Sequence, residues 1–172
     1  DMSTNTETHE ALNDCKNRVM SMAIVHQKMY QSKSVNEVEL SSYVSELTEE
    51  IKNSVNLKKK INVIYSIENI KLNVSVAIPL GLILNELITN SFKHAFDKTD
   101  YPEITIKVNL LKNNMLELNY SDNGKGVENI DEIKTETLGL ILIDSLSGQI
   151  DGNYEFKNSS GLKFRLLFPI AK

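Results

Sequence analysis

The sequence lacks several features that would place it in particular classes of protein. Only one cysteine, Cys15, occurs in 172 residues. No internal disulfide can therefore form, which is typical of proteins in a reducing compartment. Neither sign of charge is in clear excess, since 19 Lys and Arg residues oppose 23 Asp and Glu residues for a net charge of -4. This balance gives no electrostatic basis for binding nucleic acid or an anionic membrane.

Long apolar runs are also missing. The longest, 76–88, is interrupted by Pro79, Gly81, Asn85 and Glu86, and such a run is too short and too polar to cross a bilayer. The polar start of the chain carries no signal-peptide pattern. We therefore expect a cytoplasmic segment without membrane contact of its own. The abrupt start indicates a piece of a longer chain.

The N-terminal part of the chain is patterned as a helix. Residues that suit a helix seam recur there at alternating spacings of three and four: Leu12, Cys15, Val19, Met22, His26 and Met29. This heptad pattern predicts a helix packed in a bundle or coiled coil, with Cys15 in its core and His26 packed with a polar tip. A second helix is predicted at about 38–55.

The remaining sequence alternates between strand and helix patterns. Period-two alternation predicts strands at about 61–68, 104–110, 116–120, 153–157 and 163–168. Pro79 suits the first turn of a helix that runs to about Phe96, and 138–148 forms another helix. We predict an α+β fold, with a mixed, mostly antiparallel sheet carrying helices on one face, preceded by a bundle-forming helix.

The helix after Pro79 carries a row of chemically useful side chains. Glu86, Asn90, Lys93 and Asp97 are spaced four, three and four residues apart and would share one face. An amide oxygen suits Mg²⁺, an ammonium suits phosphate, and a carboxylate can accept a proton. Taken alone, this row is equally typical of a solvated helix face with Glu–Lys pairs.

Two glycine-bearing segments complete the pattern. The segment 122–126 (DNGKG) follows a strand, and its glycines allow close approach to a flat ligand whose amine the Asp122 carboxylate can bind. In 137–140 (TLGL), Thr137 suits a helix N-cap and Gly139 lets a phosphate reach the free amides of the first turn. The alternatives are a type I′ turn for the first segment and a simple capped helix for the second.

In this order the motifs resemble the GHKL ATPases (gyrase, Hsp90, histidine kinase and MutL types), which share the Bergerat nucleotide fold. Leu82–Phe96 (LILNELITNSFKHAF) resembles the N box in its Glu-x-x-x-Asn form, Asp122–Val127 (DNGKGV) the first glycine box, and Thr137–Ile143 (TLGLILI) the second. Gly161–Pro169 (GLKFRLLFP) is similar to the strand that closes the domain. Asn17–Ser32 (NRVMSMAIVHQKMYQS) looks like the second dimerisation helix of one histidine kinase subfamily.

The resemblance implies both an activity and a set of site residues. Residues 1–33 would end a dimerisation and phosphotransfer region, and 34–172 would form the ATP-binding catalytic domain. With ATP and Mg²⁺ as cofactors, the γ-phosphoryl would pass to a histidine and then to an aspartate of a response regulator receiver domain; the N-terminal helix would form a homodimer. Asn90 would coordinate Mg²⁺ and Glu86 would be the catalytic base. The nucleotide contacts would come from Asn90, Lys93, His94, Asp122, Gly124, Gly126, Thr137, Leu138, Gly139 and Leu140, with 127–136 as the lid.

The chain departs from the family pattern at two places. Leu162 stands where relatives often carry Thr, so a hydroxyl that holds Asp122 is absent and weaker nucleotide binding is expected. No phrase like His-Arg-Val-Lys-Asn-Asn marks a phosphoacceptor, and His9, His26 and His94 are poor candidates. Two other functions fit the same motifs. One is a degenerate ATPase-fold module that dimerises or binds a response regulator, and the other is a serine kinase of the anti-sigma type.

Overall fold

The computed structural model describes residues 2–31, 36–55, 59–127 and 138–170. The elements follow one another along the chain as α1 (Met2–Gln31), β1 (Glu37–Glu39), α2 (Leu40–Ser54), β2 (Asn62–Ile67), β3 (Lys71–Asn73), α3 (Val74–Asn90), a π-helical turn (Ser91–Ala95), β4 (Glu103–Leu110), a 3-10 turn (Lys112–Asn114), β5 (Met115–Asp122), α4 (Leu138–Gln149), β6 (Asn153–Asn158) and β7 (Leu162–Pro169).

A five-stranded sheet forms the framework, in the order β2-β4-β5-β7-β6. Strands β2 and β4 are parallel, whereas the other neighbours pair antiparallel. Alternate residues of β4 (Ile104, Ile106 and Val108) are buried, while Lys107 between them is exposed. One face of the sheet therefore packs in the core and the other meets solvent. The predicted α+β class with a mixed, mostly antiparallel sheet is confirmed.

Helix α3 supplies much of the core. The span Val74–Ala95 is long and apolar enough to cross a membrane by length and composition, but 78% of its apolar 18-residue window is buried inside the fold. The helix also begins earlier than predicted, so that Pro79 lies within it rather than in its first turn. The reason is the cap, because the Asn73 side chain accepts a hydrogen bond from the Ser75 N–H at 3.0 Å and starts the helix upstream.

The end of this helix also differs from the prediction. The α-helix ends at Asn90, and Ser91–Ala95 continue it as one π-helical turn. Asp97 lies beyond the turn, so it is not a member of the row formed by Glu86 and Asn90. Single π turns are frequent at functional sites, where they re-aim the side chains of a helix.

Helix α1 packs against α2 and α3 with a face other than the predicted heptad seam. Its buried residues are Asn17, Ser21, Ile24 and Val25. The predicted seam is exposed, with Leu12 61%, Val19 66% and Met22 40% accessible and with Cys15 and His26 also exposed. Cys15 therefore lies outside the core of this domain, because α1 turns a mixed polar and apolar face toward α2 and α3. The apolar seam is left facing outward.

A close contact between α2 and α3 predicts a sensitive position. A methyl group at Gly81 would lie 1.6 Å from the buried Tyr43 hydroxyl oxygen, which itself donates to the Ser21 carbonyl at 3.3 Å. We expect Gly81→Ala to lower the free energy of unfolding by about 2 kcal/mol because the core must shift to admit the methyl. Urea denaturation of the purified variant measures this change.

The control for this prediction is the pair Gly81→Ala/Tyr43→Phe. The loss should be smaller in the Tyr43→Phe background, since the nearest clashing atom is then absent. A Gly81→Ala variant as stable as the parent would show that Tyr43 is not packed against this glycine.

Candidate functional site

The C-terminal end of α3 is the place where the motifs meet. A methyl group at Gly124 would lie 2.5 Å from both Cβ and the carbonyl oxygen of Ala95, in the π turn. The Lys125 N–H donates to the same carbonyl at 3.0 Å. Only a glycine lets the first glycine box lie this close to the end of the N-box helix.

The first glycine box is fixed on its other side by the β6–β7 hairpin. Gly126 has a φ of +69°, which favours glycine, and a side chain there would meet the Asn158 amide oxygen at 2.0 Å. The Asn158 amide donates to the Val127 carbonyl at 2.6 Å. The loop that follows Asp122 is thus held between the π turn and the hairpin.

The second glycine box contacts the same helix further upstream, at Glu86 and Asn90. A methyl group at Gly139, near the start of α4, would lie 2.8 Å from a Glu86 carboxylate oxygen and 3.9 Å from the Asn90 amide nitrogen. Leu138 is 63% exposed and Leu140 is half-buried. Thr137 and residues 128–136 of the predicted lid lie outside the described residues.

Asp122 is a buried carboxylate with three hydrogen-bond donors. Its Oδ1 accepts from the Gly124 N–H at 2.9 Å and from the Leu162 N–H at 3.2 Å. Its Oδ2 accepts from the Ser91 hydroxyl at 2.6 Å, and the Tyr120 hydroxyl donates to Ser91 Oγ at 2.8 Å. Leu162 therefore contributes a backbone donor although it has no hydroxyl. The sequence analysis missed Ser91, whose contact with Asp122 depends on the fold.

Glu86 is buried and bound to the N-terminal helix. Its carboxylate oxygens accept from Arg18 Nε at 2.8 Å and from an Arg18 terminal nitrogen at 3.0 Å. The Asn85 amide adds a contact at 3.3 Å. The hydrogen bond to Glu86 raises the pKa of the Arg18 guanidinium above its ordinary value. Arg18 was also missed, because nothing in the pattern of α1 indicates that this arginine reaches α3.

The other polar residues of the N box are more accessible. Lys93 forms an ion pair with Asp14 of α1 at 2.6 Å, and the side chains of both are partly exposed. Asn90 and His94 are exposed. The structure therefore brings Glu86, Asn90 and Gly139 together, while Lys93 is directed to α1 in this conformation.

The Asp14–Lys93 pair gives a testable expectation for ligand affinity. If Lys93 contacts phosphate as the sequence predicts, Asp14→Asn should raise the affinity for ATP by about threefold, because one opposing charge is removed and the ammonium is released. Calorimetric titration at low and moderate salt measures the change. Glu46→Gln is the matched control, since it breaks another ion pair of α1, with Lys28 at 2.6 Å. An unchanged or lower affinity in Asp14→Asn would contradict the predicted role of Lys93.

Comparisons with known proteins give matches to two family models and to a curated relative. Residues 75–172 match the family model described as histidine kinase-, DNA gyrase B-, and HSP90-like ATPase. Residues 1–55 match a model described as histidine kinase. The sensor histidine kinase PdtaS of Mycolicibacterium smegmatis is 29% identical over 176 aligned positions, which cover 98% of this chain. The chain spans 34% of that relative.

Solved structures show the same fold. The histidine kinase domain of the blue-light activated histidine kinase EL346 from Erythrobacter litoralis superimposes with a TM-score of 0.79 at 18% identity, covering 91% of this chain and 75% of that one. The histidine kinase AdeS of Acinetobacter baumannii gives a TM-score of 0.65 at 14% identity, covering 98% of this chain and 83% of that one. Both the helical region and the ATPase-like domain thus have structural counterparts.

Proposed function

Because the chain belongs to the family of histidine kinase-, DNA gyrase B-, and HSP90-like ATPases, we propose that it acts as the ATP-binding kinase core of a two-component sensor histidine kinase. In this proposal the γ-phosphoryl of ATP passes to a histidine and then to an aspartate of a response regulator receiver domain. The supporting observation is the convergence of the three motifs at the C-terminal end of α3. Asp122 would bind the amine of adenine, and the backbone around Gly139 would contact phosphate.

A magnesium ion fits the residues of this site. Among the described residues, no group of three or more His, Cys, Asp or Glu side chains could hold a metal by itself. Mg²⁺ typically takes one or two protein oxygens and completes its shell with phosphates and water. Asn90 is exposed beside Gly139 and would supply an amide oxygen. The ion would neutralise charge on the transferring phosphoryl group.

Glu86 is the residue that would accept or orient the proton of the attacking group. Its carboxylate is engaged by Arg18, so this role requires the Arg18–Glu86 pair to open or to shift. Lys93 and His94 would lie at the phosphates once Lys93 leaves Asp14. Phosphoryl transfer depends mainly on positioning and charge, which these groups supply.

The helical region suggests how the core is completed. The outward seam of α1, with Leu12, Val19 and Met22 exposed, would pack against further bundle helices and form a homodimer. A separate segment would then carry the acceptor histidine, because His26 of α1 is exposed but does not lie in an acceptor motif. Such a core would work in the cytoplasm.

The test uses ATP labelled on its γ-phosphoryl. With Mg²⁺, we expect no stoichiometric acid-labile phosphate on this chain alone. We expect transfer once a bundle helix that carries an acceptor phrase of the type His-Arg-Val-Lys-Asn-Asn is joined ahead of α1. Asn90→Ala should abolish that transfer, whereas Asn69→Ala, in the loop before β3, should not. Stoichiometric phosphohistidine on the isolated chain would refute the missing-acceptor proposal, and label stable to acid would favour a serine kinase.

A further inference from the structure

The hydroxyl groups behind Asp122 form a short buried chain. Ser91 comes from the π turn and Tyr120 from β5, and they are 2% and 1% exposed. Tyr120 donates to Ser91 Oγ at 2.8 Å, and Ser91 donates to Asp122 Oδ2 at 2.6 Å. From these contacts we infer that Ser91 and Tyr120 are positioning residues that aim the Asp122 carboxylate at the nucleobase and make the site select purines with a 6-amino group.

The acceptor capacity of the carboxylate carries the argument. A carboxylate offers about four lone-pair positions. At Asp122 the two on Oδ1 are taken by the N–H groups of Gly124 and Leu162, and one on Oδ2 is taken by Ser91. A single acceptor position remains, and only a donor can fill it. An exocyclic amine is a donor, whereas a carbonyl at the same place would set two acceptors against each other.

Ser91 determines where that remaining position points. Both Oδ1 bonds come from backbone N–H groups, which leave Oδ2 without any other protein donor in the described contacts. The hydroxyl of Ser91 fixes Oδ2 at a short distance, and burial keeps water from replacing it. Loss of this donor would leave two open acceptor positions on Oδ2 and a carboxylate free to turn.

Tyr120 fixes the direction of the serine hydrogen. Because Tyr120 donates to Ser91 Oγ, the serine uses its own hydrogen for Asp122. Burial raises the pKa of the Tyr120 hydroxyl well above its ordinary value, so the donor stays protonated in the alkaline range. The Leu87 carbonyl, at 3.2 Å, is a second acceptor for the same hydroxyl. Tyr120 therefore keeps a partner when Ser91 is removed, and Ser91→Ala leaves no orphaned donor behind.

This inference rests on the proposed nucleotide site, and the test separates the two. The affinity of the parent chain is measured for the non-hydrolysable analogue of ATP and for the matching purine nucleotide without the 6-amino group. In Ser91→Ala we expect the affinity for the ATP analogue to fall about tenfold, which is the usual effect of losing a hydrogen bond to a charged group. The affinity for the nucleotide without the 6-amino group should stay unchanged. Tyr120→Phe should show about a threefold loss in the same direction, since it acts one bond further away.

Ser147→Ala is the matched control. Ser147 is a buried serine of α4 whose hydroxyl has no hydrogen-bond partner among the described residues, so its loss should leave both affinities unchanged. Equal losses for the two nucleotides in Ser91→Ala would indicate a merely structural role and overturn the inference. Unchanged affinities for both nucleotides in Ser91→Ala would overturn it as well, while the nucleotide site itself would stand in either case. A parent chain that binds neither nucleotide would overturn both proposals.

Discussion

Asp122→Asn should lower the affinity for ATP by about 100-fold, which corresponds to about 2.7 kcal/mol. The amide oxygen of the new side chain would keep the bonds from the Gly124 and Leu162 N–H groups. Its NH₂ would then take the place of Oδ2, donating to Ser91 and presenting a hydrogen to the nucleobase. Two donors would face each other where the amine of adenine lies, and the negative charge would be gone.

The same change should improve the relative binding of a 6-oxo purine nucleotide. Calorimetric titration with analogues of ATP and GTP measures both affinities. The control is Asp144→Asn, because Asp144 is an exposed aspartate of α4 that accepts a hydrogen bond from the Tyr154 hydroxyl at 3.0 Å. If Asp122→Asn bound ATP as tightly as the parent, Asp122 could not be the residue that binds the base.

Arg18→Ala should have the largest effect on stability, with a loss of about 3 kcal/mol in the free energy of unfolding. Residue Glu86 is only 7% exposed, and the variant would leave its carboxylate without the cation that holds both oxygens. A buried charge without a partner costs far more than the net value of the pair itself. Urea denaturation gives the change, and the slope of the transition reports whether α1 detaches beforehand.

Two further variants make this result specific. In a Glu86→Gln background, Arg18→Ala should lower the free energy of unfolding by about 2 kcal/mol less, since no buried charge is then left without a partner. Arg165→Ala breaks an exposed ion pair with Glu117, at 2.7 Å, and should cost below about 1 kcal/mol. Arg18→Ala and Arg165→Ala variants of equal stability would show that α1 does not bury Glu86 as described.

The sequence predicted those features that depend on local pattern. Alternating apolar residues predicted the strands, and the order of helix and strand patterns predicted the fold class. The side of α1 that faces the domain was not predictable, because the buried face mixes Asn17 and Ser21 with Ile24 and Val25, while the more regular apolar seam is exposed. The apolar seam shows where a further helix would pack, whereas the mixed face lies beside the ion pair of Arg18 with Glu86.

The missed site residues share a physical cause. Arg18 reaches Glu86 across 68 positions and Ser91 reaches Asp122 across 31 positions, so neither contact has a local periodicity. The π turn after Asn90 was also unforeseen, and it separates Asp97 from the predicted row. The motif residues Glu86, Asn90, Gly124 and Gly139 could be named in advance because each motif can be read within a few residues.

The central claim is that the end of α3 and the two glycine boxes form a magnesium-dependent ATP site. Titration of this chain with a non-hydrolysable ATP analogue, with and without Mg²⁺, tests it most directly, alongside Asn90→Ala and Asp122→Ala. The account predicts binding in the micromolar range that weakens without Mg²⁺ and is lost in both variants. Absence of binding at millimolar analogue would contradict it and would favour an interaction module that has kept the fold without the nucleotide.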